Sequence, residues 1–149
     1  MKLTDAVDAV LETKSKRVLT IDPDQSVFDA IQKMADESVG ALLVLAHGKL
    51  VGIVSERDYA RKVILKGLSS KDTPVREIMT TPVVFVTRQH TVDECMTIMT
   101  KHRLRHLPVL KDDAVVGIVS IGDLVKWTIS GQAETIHELQ EFITGGYPR

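Results

Sequence analysis

Two short segments place a hydroxyl and a carboxylate three residues apart, where an apolar run gives way to a helical pattern. They are Ser55-Glu56-Arg57-Asp58 and Ser120-Ile121-Gly122-Asp123. A helix N-terminus presents unpaired N–H groups and partial positive charge, which suits the oxygens of a phosphate. A carboxylate at the same corner can accept both hydroxyls of a sugar such as ribose through its two oxygens. The acid repels phosphate, so a basic group must read that part of a ligand. Arg57 and Arg105 are the candidates, with Lys14 and Arg17 further upstream. The same Ser-x-x-Asp spacing also describes a capping box, a structural device worth about 1 kcal/mol. On one copy that plain reading would be preferred.

The elements that position these corners are written twice. VGIVSERD at 51–58 returns as VGIVSIGD at 116–123, with Gly52 and Gly117, Ser55 and Ser120, and Asp58 and Asp123 each 65 positions apart. The same offset pairs Val18 with Val83, Val27 with Val92, Met34 with Met99, and Leu42, Val44 and Leu45 with Leu107, Val109 and Leu110. An ungapped register over so many positions is a duplication. Each half begins with a short apolar strand, Arg17–Ile21 or Val83–Val86. A turn follows, then an amphipathic helix capped by Ser26 or Thr91. Two apolar runs come next, Ala41–Leu45 with Leu50–Val54 and Leu107–Leu110 with Val115–Val119, joined by connections short enough to force hairpins. A second helix closes each half, Arg57 to Leu68 and Gly122 to Ser130. The expected class is α/β (α+β), two β-α-β-β-α repeats about a pseudo-twofold axis. Such a repeat is too small to bury a core alone, so the halves should share one. The expected organisation is an N-terminal helix at 1–13, repeats at 14–70 and 71–130, and a C-terminal helix and tail at 131–149. The connector Gly67–Thr73 is polar and expected at the surface.

Composition removes several classes of function. The chain has 149 residues, 44% hydrophobic and 26% charged, with a net charge of −1. Without a basic excess, a nucleic-acid partner is not expected. The apolar runs are too short to span a bilayer, and 1–17 lacks the continuous apolar core of a signal peptide. One cysteine allows no internal disulfide and suits a reducing cytoplasm. No phosphate loop, dinucleotide fingerprint or nucleophilic set appears, so no enzyme and no catalytic cofactor is expected.

With its repeat, its element order, its paired Gly-Ile-Val-Ser-x-x-Asp segments and His106-Leu107-Pro108-Val109 before the last hairpin, the chain resembles the cystathionine-β-synthase (CBS) domains. These occur in tandem as a Bateman module, and the resemblance covers residues 14–128. It implies a regulatory module whose usual ligands are adenine nucleotides: AMP, ADP, ATP, and in some members NAD or S-adenosylmethionine. It also implies two crevices between the halves and a homodimer. One crevice would join Ser55, Arg57 and Asp58 to Thr80, Thr81, Pro82, Val83 and Leu104-Arg105. The other would join Ser120, Gly122 and Asp123 to Lys14, Arg17, Val18, Leu19, Val39 and Gly40. Arg105 has Gly40 as its counterpart and Arg57 has Gly122, so the crevices should differ in affinity, with basic groups clustered at Asp58. The alternative is a scaffold that dimerises or docks without any ligand.

Other residues read more plainly. Cys95 lies on the apolar stripe with Val92, Met96 and Met99 and should be packing. His102 and His106 have metal-like spacing, but the helix should end between them, so no metal site is expected. Tyr59 and Trp127 should be core or interface contacts. Gly52 and Gly117 could relieve crowding behind the strands. Leu3, Val7, Val10 and Leu11 form one flanking stripe, and Ile136, Leu139, Phe142 and Ile143 another.

Overall fold

The computed structural model describes residues 2–14 and 17–130. The C-terminal stripe and tail expected at 131–149 lie outside the described residues. The chain divides into two compact units, Arg17–Phe85 and Met1–Lys16 together with Val86–Arg149. This packing boundary differs from the one expected between residues 70 and 71. The segment that leads into each repeat packs on the other repeat's corner, so 71–85 belongs with the first hairpin and 1–16 with the second.

In the Arg17–Phe85 unit, β1 (Thr20–Ile21) runs parallel to β2 (Ala41–Ala46), which pairs antiparallel with β3 (Lys49–Ser55). Between them lies α2 (Val27–Glu37), whose N-cap Ser26 accepts a hydrogen bond from the Asp29 N–H. The helix stops at Ser38 in the left-handed conformation, which lets the Ser38 and Val39 N–H groups bond back to the last turn. Val27, Ala30 and Met34 face Leu42, Val44 and Val54 in the core, closed by Val63, Val75 and Ile78. Val75 starts a single 3-10 turn, Val75–Glu77, held by Val75 N–H to the Gln25 carbonyl at 2.8 Å.

The second unit repeats this plan. β4 (Val86–Thr87) is parallel to β5 (His106–Lys111), which pairs antiparallel with β6 (Ala114–Ser120). The intervening α4 (Val92–His102) has a full capping box between Thr91 and Glu94 and ends at left-handed Arg103. The helix α1 (Val7–Glu12) lies against β6, with Val7 and Val10 buried. Val7 N–H donates to the His90 carbonyl, and Val92 N–H donates to that of Asp5. Both expected hairpins form in the same register, Val44 opposite Gly52 and Val109 opposite Gly117.

The first strands are shorter than expected. β1 and β4 sit at the edge of their sheets, and only two residues of each enter the ladder. Leu19 contributes one more bond, its carbonyl accepting from Leu43 N–H. Phe85, read as the middle of a strand, is exposed. The second helix of the first repeat also differs. It opens as α3 (Glu56–Tyr59) and widens into a π-helical turn over Ala60–Ile64, whereas its counterpart α5 stays α-helical over 121–130. The connector 67–73 is mostly exposed, but Thr73 is buried: its carbonyl takes the Val27 N–H and its hydroxyl bonds the Ser69 carbonyl.

Candidate functional site

Each Ser-x-x-Asp segment turns a hairpin strand into a helix, β3 into α3 and β6 into α5. Both serines cap. Ser55 Oγ accepts from Asp58 N–H at 3.3 Å while Asp58 Oδ2 accepts from Ser55 N–H at 2.9 Å. Ser120 and Asp123 make the same pair of bonds at 3.1 and 2.8 Å. The structural device read beside the sugar site is therefore present in both copies, and it uses one oxygen of each acid. What the remaining carboxylate capacity does separates the two corners.

At the first corner the carboxylate is saturated. Asp58 Oδ2 also accepts the Ser55 hydroxyl at 3.1 Å, and Oδ1 accepts the Thr80 hydroxyl at 3.2 Å with Lys62 Nζ at 3.0 Å. Thr80 is carried there by a strand-like bridge to Ile53, N–H to carbonyl in both directions at 2.8 and 3.2 Å. Lys62 lies one helical turn beyond Asp58 and also donates to the Ile78 carbonyl at 2.9 Å. Only 12% of the Asp58 side chain remains exposed.

At the second corner a lysine stands in for both threonine groups. Lys14 Nζ donates to the Ile118 carbonyl at 2.8 Å and to Asp123 Oδ2 at 2.6 Å. Ile118 is the repeat counterpart of Ile53, so the ammonium makes the contacts that Thr80 makes through its N–H and hydroxyl. Among the described residues nothing hydrogen-bonds Asp123 Oδ1. Burial is the largest influence on this carboxyl and pushes it up. The Lys14 ammonium and the Ser120 N–H together outweigh it and hold the group below the ordinary aspartate value. Burial pushes nearby His106 down, the Asp123 charge opposes this, and Lys14 and Arg105 add to the fall. A cleft of about 170 Å³ opens beside Asp123, lined by Thr13, Lys14, Lys126 and Trp127 among others.

The two repeated glycines admit the lead-in segments. A Cβ on Gly52 would lie 2.6 Å from Met79 Sδ, and one on Gly117 would lie 2.8 Å from Leu11 Cδ2. The crowding they relieve is therefore with the segment that docks from outside the hairpin.

The structure thus joins Ser55, Asp58 and Thr80 in one unit and Lys14, Ser120 and Asp123 in the other. Arg57 lies in the first turn of α3. Thr81, Pro82 and Val83 follow Thr80 directly; the Thr81–Pro82 peptide is cis, and Thr81 and Pro82 are exposed. The Gly40 carbonyl receives the Glu56 N–H at 3.1 Å, and the Arg105 carbonyl receives the Ile121 N–H at 2.8 Å. Each hairpin's first strand therefore starts next to its own second helix. Leu104 lies with Arg105 in the second unit, while Val18, Leu19 and Val39 lie in the first. Arg17 pairs there with Glu37 at 2.6 Å. Gly122 is exposed in the first turn of α5.

Sequence reasoning missed Lys62, although its spacing of four from Asp58 was a usable signal. It also missed Asp5, whose Oδ2 accepts the Trp127 indole N–H at 3.2 Å. No spacing rule connects residues so far apart. Cys95 is fully buried on α4, and burial, with a lesser push from Glu94, raises its thiol to about 11. Among the described residues no group of three or more His, Cys, Asp or Glu is placed to hold a metal ion. Nor is any described helix long and apolar enough to cross a membrane.

Two three-stranded sheets, each closed by a capped Ser-x-x-Asp corner, define a tandem-repeat module of mixed α/β type. The chain belongs to the CBS-domain family: the CBS domain matches residues 7–65 and 75–130. It is 40% identical to the mitochondrial CBS domain-containing protein CBSX3 of Arabidopsis thaliana, over 95% of this chain and 73% of that protein. A candidate signal-transduction protein with CBS domains from Burkholderia ambifaria MC40-6 superposes with a TM-score of 0.83 at 47% identity, covering 86% of this chain and 96% of that one. A hexameric CBS-CP12 protein from bloom-forming cyanobacteria gives a TM-score of 0.76 at 26% identity, over 85% of this chain and 70% of that one. CBS pairs are commonly regulatory and signal-transduction modules, and stand-alone ones are in general non-catalytic.

Proposed function

We propose that the chain is a non-catalytic regulatory module that binds an adenine nucleotide (AMP, ADP, ATP or NAD) at its Ser-x-x-Asp corners and passes the change to a partner protein. The observation that carries this reading is the Asp123 corner. A carboxylate with one oxygen that bonds nothing among the described residues, a neighbouring ammonium and a capped helix start offers an acceptor for sugar hydroxyls and a cation for phosphate within one cleft. The cleft is smaller than the roughly 300–1,000 Å³ of ordinary ligand pockets, so a whole nucleotide would have to widen it. Widening gives the ligand a differential affinity for two arrangements, which is what a signal requires. Basic groups suggested the Asp58 crevice as the stronger from sequence; the oxygen with no bond among the described residues instead favours Asp123. A cytoplasmic setting accords with the single, buried cysteine.

The test is calorimetric titration with AMP, ATP and NAD. Saturable binding of at least one, weakened by Asp123→Asn, is expected. No heat from any of them at millimolar concentration would overturn the reading.

A ligand-independent assembly scaffold is favoured by a different observation. The first unit exposes Ile64, Leu65 and Leu68 along and just past its π-helical turn, and the second exposes Val125 and Ile129 on α5. Apolar patches of this kind mark protein contacts. A homodimer using these residues is the proposed assembly, and hexamers are described for the CBS-CP12 relative. Ultracentrifugation separates the readings: a dimer indifferent to nucleotide favours the scaffold.

A further inference from the structure

Lys14 combines two roles that Thr80 and Lys62 divide between them at the other corner. It fills the place taken in the other unit by Thr80's N–H and hydroxyl, and it brings a full charge to an acid that already caps a helix. Asp123 Oδ2 holds the Ser120 N–H and the Lys14 ammonium, while Oδ1 holds nothing among the described residues. A vicinal diol gripped by both oxygens must therefore displace one occupant of Oδ2. The Ser120 N–H is fixed in the helix cap. The lysine is not: its side chain is 29% exposed and lines the cleft.

We infer that Lys14 is the specificity-determining residue of the Asp123 corner, a resident cation that leaves the carboxylate only for a ligand bringing its own anion. This rests on the nucleotide reading of that corner. A nucleoside offers two hydroxyls and nothing for the displaced ammonium, which would be left in a half-buried cleft without its counter-charge, a costly outcome. A nucleotide supplies a phosphate within reach of the same flexible stem, so the cation exchanges one anion for another. The corner thereby rejects adenosine and admits AMP, although both present the same sugar and base. Lys126 lines the same cleft from α5 but makes no recorded contact with Asp123, so the exchange belongs to Lys14.

The experiment is calorimetry with AMP and adenosine on the full chain carrying Asp58→Asn, which silences the other corner, with Lys14 native, changed to Met or changed to Arg. With Lys14, AMP should bind at least tenfold more tightly than adenosine. Lys14→Met keeps the apolar stem, so adenosine should gain affinity and AMP lose it, closing the gap to about twofold. Lys14→Arg should restore the gap. Equal weakening of both ligands by Lys14→Met, or an unchanged gap, would overturn the exchange while leaving nucleotide binding intact. Absence of AMP binding to the chain with native Lys14, and to the wild-type protein, would remove the nucleotide reading and the exchange with it. Amide exchange in α1 supplies a ligand-free arm: protection of Val7–Glu12 should drop in Lys14→Met. Unchanged protection would show that the ammonium holds nothing and would also overturn the proposal.

Discussion

The corners at Asp58 and Asp123 share a strand, a cap, a glycine notch and a docked lead-in segment, yet they close differently. Asp58 is locked by an uncharged backbone bridge through Thr80 and by Lys62 from its own helix. Asp123 is held by one long side chain reaching from the far end of α1. The lesson is that a duplicated frame conserves geometry more readily than occupancy. The first carboxylate has partners on both oxygens, whereas the second has them on one among the described residues.

The shared part of the comparison carries the largest energies. Leu42→Ala and Leu107→Ala remove equivalent, fully buried side chains and should each cost about 2–5 kcal/mol in urea unfolding. A cost in only one repeat would break the equivalence of the two cores. Next come the notches. Gly52→Val should displace Met79 and Gly117→Val should displace Leu11, each at about 1–3 kcal/mol. Amide exchange should then rise around 75–80 in the first variant and in α1 in the second.

The acids themselves should differ by less. Asp58→Ala loses the cap together with two further partners, and should cost about 1–2 kcal/mol. Asp123→Ala should cost less, since among the described residues Lys14 is its one partner besides the cap. Equal losses would blur the distinction drawn between the corners. The pH dependence sharpens it. Asp123 titrates lower when folded than its ordinary value of 3.8, chiefly through Lys14 and Ser120 against an opposing burial. The unfolded chain therefore takes up the proton first as pH falls, and the carboxylate's contribution is complete above pH about 4 and lost below it. The stability gap between wild type and Asp123→Asn should accordingly shrink under acid, and Lys14→Met should flatten that trend.

The smallest effect is a labelling rate. With its thiol raised to about 11 by burial, Cys95 should react with iodoacetamide at pH 8 far more slowly than an unfolded thiol. Because it sits only in the second unit, its rate reports the opening of that unit alone. Fast labelling of the native protein would contradict the packed core drawn around α4.

Periodicity and the 65-residue offset made the hairpins, both capped helices and both Ser-x-x-Asp corners legible, because each depends on residues close in sequence. Local rules also contained the capping boxes, though not which of the two readings the carboxylates would serve. Local rules did not contain the exchange of lead-in segments. Thr80 at Asp58 and Lys14 at Asp123 are contacts across 22 and 109 positions, and their pairing was expected only from the family resemblance, since no pattern in either segment names its partner. The π-helical turn at Ala60–Ile64 escaped because its sequence, ARKVI, is ordinary helix.

The central claim is that these corners hold a nucleotide by its sugar, and calorimetry with AMP on the wild type, Asp58→Asn and Asp123→Asn tests it most directly. The account predicts saturable binding in the wild type, a loss of at least tenfold in Asp123→Asn and a smaller change in Asp58→Asn. Identical isotherms for all three proteins would contradict it.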